Sequence, residues 1–325
     1  MPFNNLISRV DAAALIPAEE SNEIISAVTR ANPVLQLAKR LPPMSTATRT
    51  MPVTSALALA YFVNGDTGLK QTTELNWAGV NLVAEELAVI VPIPEAVLAD
   101  SNHDIWGEVK PQLVEAFNIA IANAIFWGAN IPASWTVALG AAGLLARCTA
   151  AGHTLSFAGN GYADLYEAIM AQTPGGVAGL LMTLEADGFM ATGHIASTTM
   201  RGRLRGVRDI NGQPIFTPSM VDKTRYQLDG EPVYFPTDGT VPDATAWDIA
   251  GQWDQLVYSF RQDISYKLLD QAVIQDGAGA IVYNLAQQDM VALRAVMRLG
   301  VALPNPINRM NANAATRCQF AILTA

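Results

Sequence analysis

From Val80 to Ile93 apolar and polar residues alternate, which puts Leu87, Val89, Val91 and Ile93 on one face of a strand and Glu86 and Ala88 on the other. Met51 to Phe62 also reads as a strand. Between the two runs lies "YFVNGDTGLKQTTELNW", Tyr61 to Trp77, polar and punctuated by glycine. Asn64-Gly65-Asp66 and Gly68 supply turn chemistry there, so the runs are predicted to form a long antiparallel ribbon. After it the period changes. Trp106, Val109, Leu113, Phe117, Ile121 and Ile125 recur at spacings of three and four, which places them on one face of a helix ending near Trp127 and Gly128. Asp100, Ser101, Asn102 and Asp104 are its N-cap candidates, and Pro111 predicts a kink or a late start.

The other segments carry weaker patterns. Residues 1–48, with Pro17, Pro33, Pro42 and Pro43, read as an arm holding one or two short helices within "EESNEIISAVTRANPVLQLAKRL". Asn130 to Gly161 is rich in Ala, Gly and Thr and reads as a loop. "GYADLYEAIMAQ" reads as a short helix and "GFMATGHIAS" as a strand. "TTMRGRLRGVRDINGQPIF" reads as helix, turn at Asn211-Gly212 and strand, and "LDGEPVYF" as a strand entered by a turn. "AGQWDQLVYSFRQDISYKLLD" reads as two strands, with Leu256, Tyr258 and Phe260 on one face. "DMVALRAVMRLGVALPNPINRM" reads as a strand that breaks at Pro304 and Pro306. No repeat recurs at a fixed period.

Composition sharpens this outline. Half of the 325 residues are hydrophobic and 15% are charged, more apolar side chain than one chain's polar surface covers, and burial between subunits resolves the surplus. The formal net charge of −9 argues against nucleic-acid binding, which rests on Lys and Arg at phosphates. Arg201, Arg203, Arg205 and Arg208 form a basic cluster, read as a solvated or interface helix end in preference to a phosphate site. Cys148 and Cys318 are far apart in sequence and suggest neither a disulfide framework nor a zinc site. Neither a secretory signal nor an uninterrupted run of roughly 18 to 20 apolar residues is present.

Candidate chemistry is sparse. His103, His153 and His194 have no partners at metal-ligand spacing, and no G-x-S-x-G, Walker A or H-E-x-x-H motif occurs. "GNGYAD", Gly159 to Asp164, lacks the third glycine of a dinucleotide fingerprint, and Glu85-Glu86 are strand neighbours that face opposite ways. Cys148 or Cys318 could be paired with His153 or His194 as nucleophile and base, but without a third orienting group. A chain with an arm, a ribbon and surplus apolar surface points instead to assembly.

The order of these segments resembles the major capsid proteins of tailed bacteriophages with the HK97 fold, a superfamily that encapsulin shells share. The resemblance runs from Met51 to Arg309. "EELAVIVPIPEAVLADSNHDIWGEVKPQLVEAFNIAIANAIFWG" is similar to the strand, short helix and spine helix of the peripheral domain, and "YADLYEAIMAQ" to the helix that opens the axial domain. "GHIASTTMRGRLRGVRDINGQPIF" is similar to a strand, helix and Asp-x-x-Gly turn, here Asp209 and Gly212. "LDGEPVYF", "GQWDQLVYSFRQDISYKLL" and "MVALRAVMRLGVALPNPI" are similar to the returning strands.

The resemblance implies an α+β fold divided into an N-terminal arm (1–48), an extended E-loop (49–83), a peripheral domain (84–160, spine helix about 104–127), an axial domain (161–255), return strands (256–312) and a C-terminal tail (313–325). It implies hexamers and pentamers closing into an icosahedral shell around double-stranded DNA. The E-loop tip, Asn64, Gly65, Asp66, Thr67, Gly68, Leu69 and Lys70, would touch other copies. The chain itself is then the main partner, with portal, scaffolding and decoration proteins as further ones. It would hold DNA without sequence-specific binding, and no membrane, metal, cofactor or catalytic residue is implied. Assembly would occur in the host bacterial cytoplasm, with scaffolding separate, dispensable or cleaved from a longer precursor. An encapsulin-like compartment around a cargo enzyme is the alternative on the same fold, and a soluble cysteine hydrolase the alternative of another class.

One branch of the family joins an E-loop Lys to an Asn of a neighbouring subunit. Lys70 is in the right region, but Asp289 stands where the Asn would be. No covalent crosslinking is therefore expected, and boiling assembled protein in SDS should release single chains. A ladder of subunit multiples on the gel would overturn this.

Overall fold

The alternation around Val80 to Ile93 lies within a single 19-residue strand, β3 (Asn76–Pro94), from which the larger sheet is built. The computed structural model describes residues 32–63, 68–101, 104–170, 172–209, 211–215 and 226–325. Along residues 84–94, β3 pairs antiparallel with β12 (Met290–Ala302), from Ala84 opposite Gly300 to Pro94 opposite Met290. Along residues 76–83 it pairs instead with β2 (Thr48–Ala56), which is thus shorter than the strand expected from Met51 to Phe62. β12 pairs on its other edge with β9 (Val257–Leu269), and β9 runs parallel to β1 (Lys39–Arg40), giving the order β1-β9-β12-β3-β2. Part of the expected arm is therefore sheet, while residues 1–31, with most of the predicted arm helix, lie outside the described residues. The helix within that stretch that can be described is α1 (Pro33–Leu37), capped by Asn32.

Leu87, Val89 and Val91 pack against the main core, which also receives α3 (Ile105–Trp127), reached through α2 (Glu95–Asp100). Glu85 and Glu86 do face opposite ways: Glu85 accepts from Ser134 Oγ at 2.6 Å, and Glu86 from Arg298 Nε at 2.8 Å. Asp104 caps α3 by accepting the Gly107 N–H at 3.0 Å. The helix continues through Pro111 without the expected late start, because burial of Leu113, Phe117, Ile121, Ile125 and Phe126 outweighs one lost backbone bond. It stops at Gly128, whose φ of 66° suits glycine, and a Cβ there would lie 2.5 Å from Ala142 Cα.

Asn130 to Gly161 is not a loop: it holds α4 (Ala133–Leu139), α5 (Gly143–Ala151) and β4 (Thr154–Ser156). Neither helix has a side-chain N-cap bond, so the usual start signal is missing. β4 opens a six-stranded sheet completed by β5 (Gly193–Ala196), β6 (Gln227–Leu228), β7 (Glu231–Tyr234), β8 (Asp248–Gly251) and β13 (Phe320–Thr324), in the order β4-β13-β8-β5-β7-β6. "LDGEPVYF" holds the expected strand entered by a turn, β7 after Asp229-Gly230, and β6 on the near side of that turn makes the pair a hairpin. The strand expected after Asn211-Gly212 reduces to a single bridge, Arg208 to Pro214, although the turn itself is present.

Residues 313–325 are not simply a tail, since β13 sits inside the sheet between β4 and β8. Its alternate residues serve two cores. Phe320 and Ile322 join the core of α3, while Ala321 and Leu323 join a second core with α6 (Leu165–Met170), α7 (Leu180–Ala186) and α8 (Met200–Gly206). A strand buried on both faces loses the polar alternation that would announce it. The remaining strands, β10 (Val273–Gln275) and β11 (Ile281–Asn284), form a separate hairpin.

His194 on β5 and Asp248 on β8 are fully buried, with Nδ1 and Oδ2 2.8 Å apart. Removing the imidazole strands a buried carboxylate, so His194→Ala should cost about 3–5 kcal/mol. The urea midpoint should fall at unchanged slope; an unchanged midpoint would mean that the pair contributes nothing.

Candidate subunit-contact surfaces

β2 and β3 leave the body as a two-stranded ribbon, too little sheet to bury both of its faces. At its root, Met44 and Leu82 join Val257 and Ala302 in a small buried cluster. Beyond Ala56 and before Asn76 the described residues leave regular pairing, and Thr73 Oγ1 accepts the Leu59 N–H at 3.0 Å across them. Apolar side chains there and at the start of β3 face solvent in the single chain: Phe62 is fully exposed, Leu69 is 90% exposed and Trp77 67%. Of the expected contact residues, Gly68, Leu69 and Lys70 are all exposed, whereas Asn64, Gly65, Asp66 and Thr67 lie outside the described residues.

A second apolar surface was missed in the sequence. The β10–β11 hairpin exposes Val273, Ile281, Val282 and Tyr283. Asp276 Oδ1 accepts the N–H groups of Ala278 at 2.9 Å and Ala280 at 2.8 Å, which shapes its turn. "VIQDGAGAIVY", an Asp-Gly turn between β-branched residues, carries the signal that would have found it. A groove of about 510 Å³ lies beside the ribbon root, lined among others by Val53, Val80, Val137 and Leu303.

The arginine cluster is engaged within its own chain. Arg203 makes a forked pair with Asp243, NH1 to Oδ1 at 2.6 Å and NH2 to Oδ2 at 2.8 Å, and stacks over Trp247 with its Cζ 3.8 Å from the ring centre. Thr199 and Ser197 also donate to Asp243, and these bonds with Arg203 foremost hold its carboxyl at about 2, against an ordinary 3.8. Arg201 lies over the Tyr226 ring at 4.5 Å. Arg205 and Arg208 donate to backbone carbonyls of α8, Arg201 O and Arg205 O.

Among the described residues neither cysteine is paired with a histidine as nucleophile and base. Cys148 and Cys318 are both fully buried, and desolvation pushes the Cys148 thiol well up. His153 does gain an orienting carboxylate, with Nε2 3.2 Å from Asp187 Oδ2, but its Nδ1 is turned to the Phe320 carbonyl at 3.1 Å. Burial lowers its pKa. His194 is committed to Asp248, and His103 lies outside the described residues. Although 170 positions separate them in sequence, the two free cysteines meet in the fold, with their sulfurs 3.8 Å apart. Among the described residues no group of three His, Cys, Asp or Glu side chains could hold a metal ion, and no helix is long and apolar enough to cross a membrane.

Comparison with known proteins places this architecture. The model of the phage capsid family matches residues 12–308. The major capsid protein of Staphylococcus phage 80alpha is 26% identical over 288 residues, which are 87% of this chain and 80% of that one. A solved chain of Microbacterium phage Oxtober96 is 32% identical with a TM-score of 0.80, covering 98% of this chain and 99% of its own. One of Mycobacterium phage Adephagia is 29% identical with a TM-score of 0.79, covering 98% and 97%.

The Arg203–Asp243 pair generates a pH dependence. Because the folded pKa is depressed from 3.8 to about 2, its stabilisation is present above pH 4 and lost as pH falls through that interval. Both side chains are about a third exposed, 32% and 35%, so screening limits the contribution to about 1 kcal/mol. Urea midpoints at pH 5 and pH 2.5 should converge between wild type and Arg203→Gln at the lower pH. An equal gap at both would exclude this ion pair as the cause.

Proposed function

The chain belongs to the phage capsid family, and on that premise we propose that its ribbon is the E-loop, laid across a neighbouring copy as chains close into hexamers and pentamers. It is a major capsid protein with the HK97 fold, and its place is the virion shell. The E-loop reading rests on one observation: a ribbon continuous with the larger sheet carries Phe62, Leu69 and Trp77 clear of the other described residues, where another chain can cover them.

The larger sheet with α3 serves as the peripheral domain and the six-stranded sheet with α6 to α8 as the axial domain. Each copy then holds several neighbours at once, so modest contacts add to a shell that subunits leave only by breaking them together. Double-stranded DNA is enclosed without sequence-specific recognition. The net charge of −9 and the internally engaged arginines support a lining that does not grip phosphate. Assembly takes place in the host cytoplasm, and portal, scaffolding and decoration proteins are the further partners this reading implies. The role is structural and not enzymatic, as the burial of both thiols supports.

The double variant Phe62→Ser/Leu69→Ser tests the ribbon. Both side chains are exposed in the isolated chain, so its stability should stay within about 0.5 kcal/mol of wild type. Shell yield by negative-stain electron microscopy and light scattering should drop at least ~10-fold, the factor that about 1.4 kcal/mol per contact produces. Shells at wild-type yield would remove the ribbon from the assembly contacts.

A further inference from the structure

Cys148 and Cys318 are separated by 170 positions in sequence, yet their sulfurs meet at 3.8 Å where neither side chain reaches solvent. Cys148 belongs to α5, and Cys318 stands two residues before β13. The surroundings hold both in place. The His153 N–H donates to Cys148 O at 2.7 Å, the Ile322 N–H to His153 O at 2.9 Å and the Cys318 N–H to Asp187 Oδ2 at 2.9 Å. Asp187, at the end of α7, also faces His153 Nε2 at 3.2 Å. Three elements thus converge on one buried dithiol.

We propose that Cys148 and Cys318 are a modification site, an intrachain pair that a small peroxide converts to a disulfide after the chain has folded. A disulfide holds its sulfurs about 2.05 Å apart, so the pair needs to close by less than the width of one atom. The two sulfurs have unequal roles. Cys148 Sγ–H donates to the Phe320 carbonyl at 3.3 Å, and in the 3.8 Å contact between the sulfurs either can donate. Burial pushes the Cys148 thiol up, whereas hydrogen bonding with Cys148 draws Cys318 down. Cys318 is therefore the sulfur that meets the peroxide as thiolate.

The thiolate attacks one peroxide oxygen, the O–O bond breaks, and the departing hydroxide takes up a proton to leave as water. The resulting Cys318 sulfenic acid is attacked at sulfur by Cys148. The S–S bond forms, the S–O bond breaks, and the second oxygen leaves as water with the Cys148 proton. Two thiols lose two electrons and hydrogen peroxide gains them.

The timing rests on the capsid reading. Host cytoplasm keeps thiols reduced while the chain folds and assembles, and the released particle enters oxidising surroundings. Each subunit then fastens α5 to β13 with no contribution from its neighbours.

The test treats purified wild-type protein, as dispersed chain and as shells, with equimolar hydrogen peroxide, then denatures it in an alkylating reagent. Expected are a mass lower by two hydrogens, a non-reduced peptide joining Cys148 to Cys318, and reversal by dithiothreitol. The unfolding temperature should rise by roughly 5–10 °C, and not in Cys148→Ser. Both cysteines alkylated, a sulfinic acid, or crosslinks between chains would each overturn the proposal, whatever the serine variant does. A crosslink in dispersed chain that never forms shells would leave this proposal standing and remove only the unaided assembly of the chain; shells without a crosslink would do the reverse.

Discussion

The structure depends on one strand being shared. β3 spends its second half as an inner strand of the five-stranded sheet and its first half as one side of the protruding ribbon. A free two-stranded hairpin is marginal in water, but one whose strand continues into a packed sheet inherits that sheet's register. A slip of one residue would turn Leu87, Val89 and Val91 out of the core, so the hydrophobic pattern holds the pairing with β12. The Glu86–Arg298 contact falls on two directly opposed residues of that register. The direction of the ribbon is thus set by the sheet hydrogen bonds at its base, and the buried cluster of Met44, Leu82, Val257 and Ala302 secures the root.

The six-stranded sheet joins the two halves of the molecule differently. On β5, β8 and β13 alternate side chains go to opposite cores: Ile195, Ile249 and Phe320 toward α3, and Ala196, Ala250 and Ala321 toward α6 to α8. Small residues on one face let helices lie close, while large ones on the other fill the shared core. Phe320 lies directly opposite Gly251, where a Cβ would come within 2.2 Å of its ring, and stands edge-on to Trp253 at 5.0 Å. A displacement of the sheet is therefore felt in both cores, because close-packed interiors do not absorb it locally.

What could be read in the sequence was what had a period and a free face. α3 shows its buried stripe from Leu113 to Ile125, and β3 and β12 show strand patterning long enough to recognise. α5 lacks a side-chain cap, and β13 has no polar face, so local signals for both were weak. The hairpin of β10 and β11 had its signal in Asp276-Gly277 and went unread. Of the contact residues, exposed Gly68, Leu69 and Lys70 agree with a solvent-facing tip, but the apolar character of the neighbouring Phe62 and Trp77 becomes meaningful once their exposure is known. The meeting of Cys148 and Cys318 has no local signature, because it is made by α5 and β13 packing together.

The position of β13 also orders events in time. The sheet of β4, β5 and β8 is translated long before residues 320–324, yet β13 must enter between β4 and β8 for it to close. Until then β8 lacks the partner on that edge, and the main core lacks Phe320 and Ile322. A nascent chain stalled short of this strand cannot complete either core. The fold thereby separates chains that carry β13 from those interrupted before it, before any copy has met another.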